Sequence, residues 1–204
     1  SSETLPTTTE KASLPFQCGR ESRCFPRLEA ARLLMIWPVA PATDQLAIAG
    51  ADLATTVLAE GRRSRLVEHL RENLQIVETI DMDVTTLEQG SLVMLEACCP
   101  EDQLETVEKE VHLQLQRTLN EPVTAEEFDR AMHLVGNGHR FSLEAPSAVA
   151  ASVGTQTLWG RHRDLLAPLQ DLTQWDAAAL SSRVMPLLQP HNAFTLIARA
   201  EDNA

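Results

Sequence analysis

AARLLMIWPVAPATDQLAIAGADLATTVLAEGRRSRLVEHLREN, residues 30–73, changes its hydrophobic period partway along, and that change decides the fold. Residues 28–39, LEAARLLMIWPV, are an apolar run of strand length closing at Pro38, which predicts a largely buried strand. The preceding ESRCFPR either extends that strand or pairs beside it. From Asp44 the spacing becomes helical: Leu46, Ala49, Gly50, Leu53 and Val57 fall on one side, and Gly61 stops the run. Ser64 then stands where it caps a second short helix, SRLVEHLREN, whose Leu66 and Leu70 lie one turn apart.

Downstream, QIVETIDMDV and SLVMLEACC each have strand length, and the EQG between them carries turn chemistry, so the two form an antiparallel pair. PEDQLETVEKEVHLQLQRTL sets Leu104, Val107, Val111, Leu115 and Leu119 on one stripe with acids early, as a helix N-terminus favours. Thr124 and Glu127 make a capping box for TAEEFDRAMHLVGNGHRF, in which the glycines around Asn137 predict a bend or a close contact. Pro146 opens a small-residue helix, Thr173 with Asp176 opens WDAAALSSRVMPLL, and HNAFTLIARA closes the chain as a strand. Strands and helices are segregated rather than alternating. The expected fold is therefore α+β, one mixed and largely antiparallel sheet with helices packed on one face.

The 204 residues are 44% hydrophobic with a formal net charge of −12. That allows a sizeable core and argues against a general nucleic-acid binder, whose affinity comes from Lys and Arg neutralising phosphates. No apolar run reaches the roughly 20 residues of a membrane span, and the opening has no signal-peptide pattern. Residues 1–15 read as a linker or disordered end and 16–204 as a single domain, and cytoplasmic, periplasmic and organellar settings are all allowed.

Chemistry is sparse. His69, His112, His133, His139, His162 and His191 offer no pair at helical i, i+4 spacing with a Glu between, so no zinc motif is present. No Gly-x-Ser-x-Gly elbow and no phosphate-cradling Gly-rich loop appears. Cys18, Cys24, Cys98 and Cys99 match neither a metal hook nor a disulfide framework and read as buried or idle thiols. Glu78 is the exception among the carboxylates: alternation puts it on the face of Ile76 and Ile80, where a charge needs a partner, solvent or a cleft. Without a phosphate cradle, Arg62, Arg63 and Arg65 are expected to anchor the turn and neighbouring helices.

The succession of residues 30–73, two strands around GSLVMLEA, then CPEDQLETVEKEV and VTAEEFDRAMHLVGNGHRF, resembles a non-catalytic domain of the insulinase, pitrilysin and mitochondrial processing peptidase family of zinc metallopeptidases. The likeness spans residues 25–200 and is sharpest from Gly61 to Glu72. It implies a chain without the family's His-x-x-Glu-His, inactive alone, forming chamber wall and peptide-binding surface for a zinc-bearing domain elsewhere, in the same chain or in a homo- or heterodimeric partner. It implies an extended peptide as substrate. The family's substrate-contacting Arg falls on Arg71, and Glu78 stands at the family's Tyr position, where a carboxylate accepts hydrogen bonds but cannot donate one to an oxyanion, so the alternative for Arg71 is a salt bridge to Glu78 or Glu72. The alternative of another class is a non-enzymatic scaffolding or peptide-binding protein of the same fold; an independent small-molecule enzyme has no convergent catalytic set to support it.

Overall fold

A computed structural model describes residues 14–201. Five strands, β1 (Gly19–Phe25), β2 (Ala31–Val39), β3 (Thr79–Thr85), β4 (Ser91–Cys99) and β5 (Phe194–Ala200), form one sheet in the order β1-β5-β2-β4-β3. All pairings are antiparallel except β1 with β5, so the sheet is mixed and largely antiparallel, and with its helices the fold is α+β. The helices are α1 (Gln45–Ala59), α2 (Leu104–Arg117), α3 (Ala125–Ser142), α4 (Pro146–Leu158), α5 (Ala167–Leu172) and α6 (Ala177–Arg183), with a π-helical segment at Val67–Asn73.

One face of the sheet carries the core. Ala31, Leu33, Met35 and Trp37 of β2, Val93, Leu95, Ala97 and Cys99 of β4, and Ile197 of β5 point to it and are buried. Helices α1 and α2 lie on this face, and α3, α5 and α6 pack outside α1. Two tryptophans tie the layers together because each buried indole N–H must find an acceptor. Trp37 donates to the Gln189 carbonyl at 2.9 Å, and Trp175 donates to the Leu46 carbonyl at 3.0 Å. Gly50 makes the second contact possible: a Cβ there would lie 2.3 Å from the Trp175 ring.

Caps written in the sequence are present. The Asp44 carboxylate accepts from the Ala47 amide at 3.0 Å, Gly61 turns the chain at φ +80°, and Thr124 with Glu127 completes its capping box. α3 runs without interruption, and at buried Gly136 a Cβ would lie 3.3 Å from the Arg140 guanidinium.

Other expectations are corrected. ESRCFPR neither extends β2 nor pairs with it; Pro26 and Arg27 turn the chain, Arg27 at φ +65°, and β1 pairs parallel with β5. The Ser64 hydroxyl donates to the Gly61 carbonyl instead of capping a helix, tightening the turn. α5 is an additional helix, and Thr173 closes it by donating to the Gln170 carbonyl, leaving Asp176 alone as cap of α6. Leu119 lies beyond α2 and is 52% exposed. β2 is buried on one face only, since Leu34 and Ile36 are partly exposed. Of the expected linker 1–15, residues 1–13 lie outside the described residues.

Candidate functional site

Each arginine of the 60–80 stretch ends on an acceptor. The Arg65 guanidinium grips both Glu127 oxygens, at 2.7 and 2.8 Å, and donates to the Glu121 and Pro122 carbonyls, fastening the 61–66 turn to the start of α3. Glu127 thus caps α3 and binds Arg65 at once. Its pKa falls to about 2, because the bonds from Arg65 and Thr124 outweigh the burial that opposes ionisation. Arg62 and Arg71 converge on opposite oxygens of Glu72, at 2.6 and 3.0 Å, and Arg63 reaches Glu126 at 3.5 Å. Both bonds to Glu72 hold its carboxyl below the usual range.

Between Arg71 and Glu78 the backbone is unusual. The π-helical segment ends where the Leu74 amide donates to the His69 carbonyl, Ile76 donates to the Leu70 carbonyl, and Gln75 between them sits at φ +54°. A left-handed non-glycine residue stores strain of order 1 kcal/mol. The twist breaks the alternation expected through this segment. Val77 is buried, Glu78 and Thr79 are both exposed, and the strand's in-and-out order begins only at Ile80. Glu78 therefore sits at the solvent-facing start of β3, its amide donating to the Cys98 carbonyl at 2.8 Å and its carboxylate 3.8 Å from the Cys98 thiol. Burial first, and then that neighbour, push the thiol's pKa up. Arg71 and Glu78 are not brought into an ion pair; Arg71 takes Glu72.

Among the described residues no helix lies over the second sheet face. Its cross-strand rows run Leu196–Leu34–Glu96–Asp81 and Phe194–Ile36–Met94–Asp83 from β5 to β3. Apolar side chains on β5 and β2 thus grade into carboxylates on β4 and β3, and the Glu96 carboxylate is bonded by Arg32. The Asp81 pKa is raised by burial first, then by Glu96 and Asp83. Composition hid this surface, because β2 is apolar on both faces; the alternating acids of TIDMDVT were the signal for it.

The histidines are scattered. His69 contacts Glu110 at 2.9 Å, His133 and His139 donate to the Asp129 and Leu165 carbonyls, and His112 on α2 is half-buried, which lowers its pKa. Cys99 is buried, Cys98 partly so, and Cys18 and Cys24 are exposed. Among the described residues no group of three or more His, Cys, Asp or Glu side chains could hold a metal ion, so these residues do not fit zinc. Among them, too, no helix is long and apolar enough to cross a membrane.

The sequence profile of the peptidase M16 inactive domain matches residues 6–135. The chain belongs to this family. The M16 inactive domain is the non-catalytic type anticipated from Gly61 to Glu72, and its arrangement recurs in solved proteins. A protease from Helicobacter pylori superposes with a TM-score of 0.83 at 17% identity, over 98% of this chain and 48% of that one. The M16 inactive domain from Pseudomonas fluorescens gives 0.76 at 15% identity, over 91% and 44%. The inactive peptidase domain of a candidate zinc protease from Bordetella parapertussis gives 0.78 at 15%, over 88% and 96%. The chain thus spans about half the length of the first two and nearly all of the third. No curated protein sequence matches it.

Proposed function

We propose that this M16 inactive domain is a non-catalytic wall of a zinc peptidase, presenting its helix-free sheet face to an extended peptide and to a zinc-bearing domain elsewhere. On this reading residues 16–204 act as one domain, zinc belongs to the partner domain, and the chain alone cleaves nothing. The uncovered face carries the proposal: a two-strand apolar floor of Leu34, Ile36, Phe194 and Leu196 beside a carboxylate margin of Asp81, Asp83 and Glu96. Among the described residues β3 is an edge strand with no strand on its outer side, and strand addition there draws affinity from main-chain bonds, with side chains choosing the sequence. The negative margin favours peptides carrying Lys or Arg.

The test is to recover the native assembly with an antibody to this chain, then weigh it and count its zinc. A mass at least twice 22.5 kDa with stoichiometric zinc is expected. A free chain, or an assembly without zinc, contradicts the proposal.

One observation favours the reading in which the fold serves a non-enzymatic scaffold. Arg71 and Glu78 are the expected substrate contacts, yet Arg71 is committed to Glu72 and Glu78 offers an acceptor where a donor would serve an oxyanion. A zinc-free assembly that still binds extended peptide would select that reading.

A further inference from the structure

On the helix side, α1, α3 and α5 enclose a cleft of about 430 Å³ that neither reading of the chain uses. Ile48, Ala49, Leu134, Val135 and Leu172 line much of it. Its polar side chains are nearly all engaged. Gln45 donates to the Ala42 carbonyl at 2.7 Å, Glu60 accepts from the Thr56 hydroxyl at 3.0 Å, and Ser142 donates to the His139 carbonyl at 2.7 Å. His139 donates through Nε2 to the Leu165 carbonyl at 2.8 Å. Asp171 receives both of its bonds from Arg163, at 2.8 and 2.9 Å.

Asp52, on the α1 wall, is different. Among the described residues no donor reaches its carboxylate, and it faces Glu60 from its own helix, His139 from α3, and Asp171, already neutralised by Arg163, from α5. Arg183 of α6 is held 4.8 Å over the Trp175 ring, and Arg140 of α3 donates to Asn137. Desolvation first, and Glu60 second, raise the Asp52 pKa to about 6. Among the described residues an ionised Asp52 carboxylate in this partly apolar cleft has only solvent to offset its desolvation.

We propose that this cleft binds a monocationic alkylguanidinium or alkylammonium group, its charged head on Asp52 and Glu60 and its hydrocarbon stem along Ile48, Leu134, Val135 and Leu172. The chemistry is shared by a free small amine and by an Arg or Lys side chain on a peptide. An anion finds no free cation among the lining residues, and a purely apolar ligand leaves Asp52 unpaired.

The test titrates the 204-residue chain with butylguanidinium, acetyl-arginine methylamide and neutral pentanol, read by amide shifts in α1, α3 and α5. Saturable shifts with at least one cation, and none with pentanol, are expected. If the blocked arginine binds as well as butylguanidinium, the source is a peptide or protein side chain; if butylguanidinium alone binds, it is a free small molecule. Asp52→Asn should weaken binding about tenfold, since an ionic hydrogen bond becomes a neutral one, and Glu60→Gln should weaken it less. Lowering the pH from 7.5 to 5 should also weaken it about tenfold, as Asp52 protonates. Unsaturable shifts with both cations, equal binding of pentanol, or unchanged affinity in Asp52→Asn with its thermal transition intact would each overturn the site.

Discussion

The two faces of the sheet are built from the same strands and behave as different materials. On the covered face, Leu33, Met35, Trp37, Val93 and Leu95 are completely buried under α1 and α2. On the other, Leu34, Ile36, Met94 and Leu196 alternate with them and remain partly exposed beside Asp81 and Asp83. Apolar residues on the first face are accounted for by stability. Those on the second stabilise the isolated chain little, and a contiguous apolar surface rimmed by charge is the usual mark of an interaction site.

The largest expected effect lies in the covered layers. Gly50→Ala drives a Cβ into the Trp175 ring, which is also fixed by its bond to Leu46, so the transition measured by thermal or denaturant unfolding should lose about 3 kcal/mol. Next comes a direct pairing of neighbours in β4. Leu95→Ala should cost about 3 kcal/mol and Met94→Ala less than about 1 kcal/mol, because only the first opens a cavity under helices. Equal costs in urea unfolding would erase the contrast between the faces.

Arg65→Ala should cost about 1–2 kcal/mol at pH 7, a figure discounted for the pair's partial exposure, and should change the acid limb. Glu127 has a folded pKa of about 2, depressed from the ordinary glutamate value of 4.5. Its contribution is therefore present above pH 4.5 and lost as pH falls toward 2, and the variant should show a shallower loss of stability across that window. The smallest effect is a gain: Gln75→Gly relieves the left-handed backbone at φ +54° and should raise stability by about 0.5 kcal/mol in the same unfolding assay.

What the sequence reveals about this molecule follows how local each determinant is. Asp44, Thr124 with Glu127, and Gly61 act within a few residues, and their helix ends appear where the residues predict them. The partner of β1 is set by pairing residues 19–25 with 194–200, and no local signal near Cys24 or Phe25 carries that information. α5 is six residues long with Pro168 in its first turn, too short to show a period. At the candidate site the Arg71–Glu72 pair was one of two legible in the sequence, whereas the surroundings of Glu78 were not, because Gln75 reverses the backbone and frees Glu78 from the alternation of its neighbours. The bare face was hidden for a related reason: Leu34 and Ile36 look as buried as Leu33 and Met35 until it is known which side the helices take.

The measurement that tests the central claim most directly is oxidative footprinting of Met94 and Phe194 on the bare face, compared between the isolated chain and the native assembly saturated with an extended peptide. Strong protection of both in the assembly, with Met35 on the covered face unreactive in either sample, is the predicted result. Met94 and Phe194 oxidised equally in the two samples would contradict the claim that this face is where the domain meets its partners.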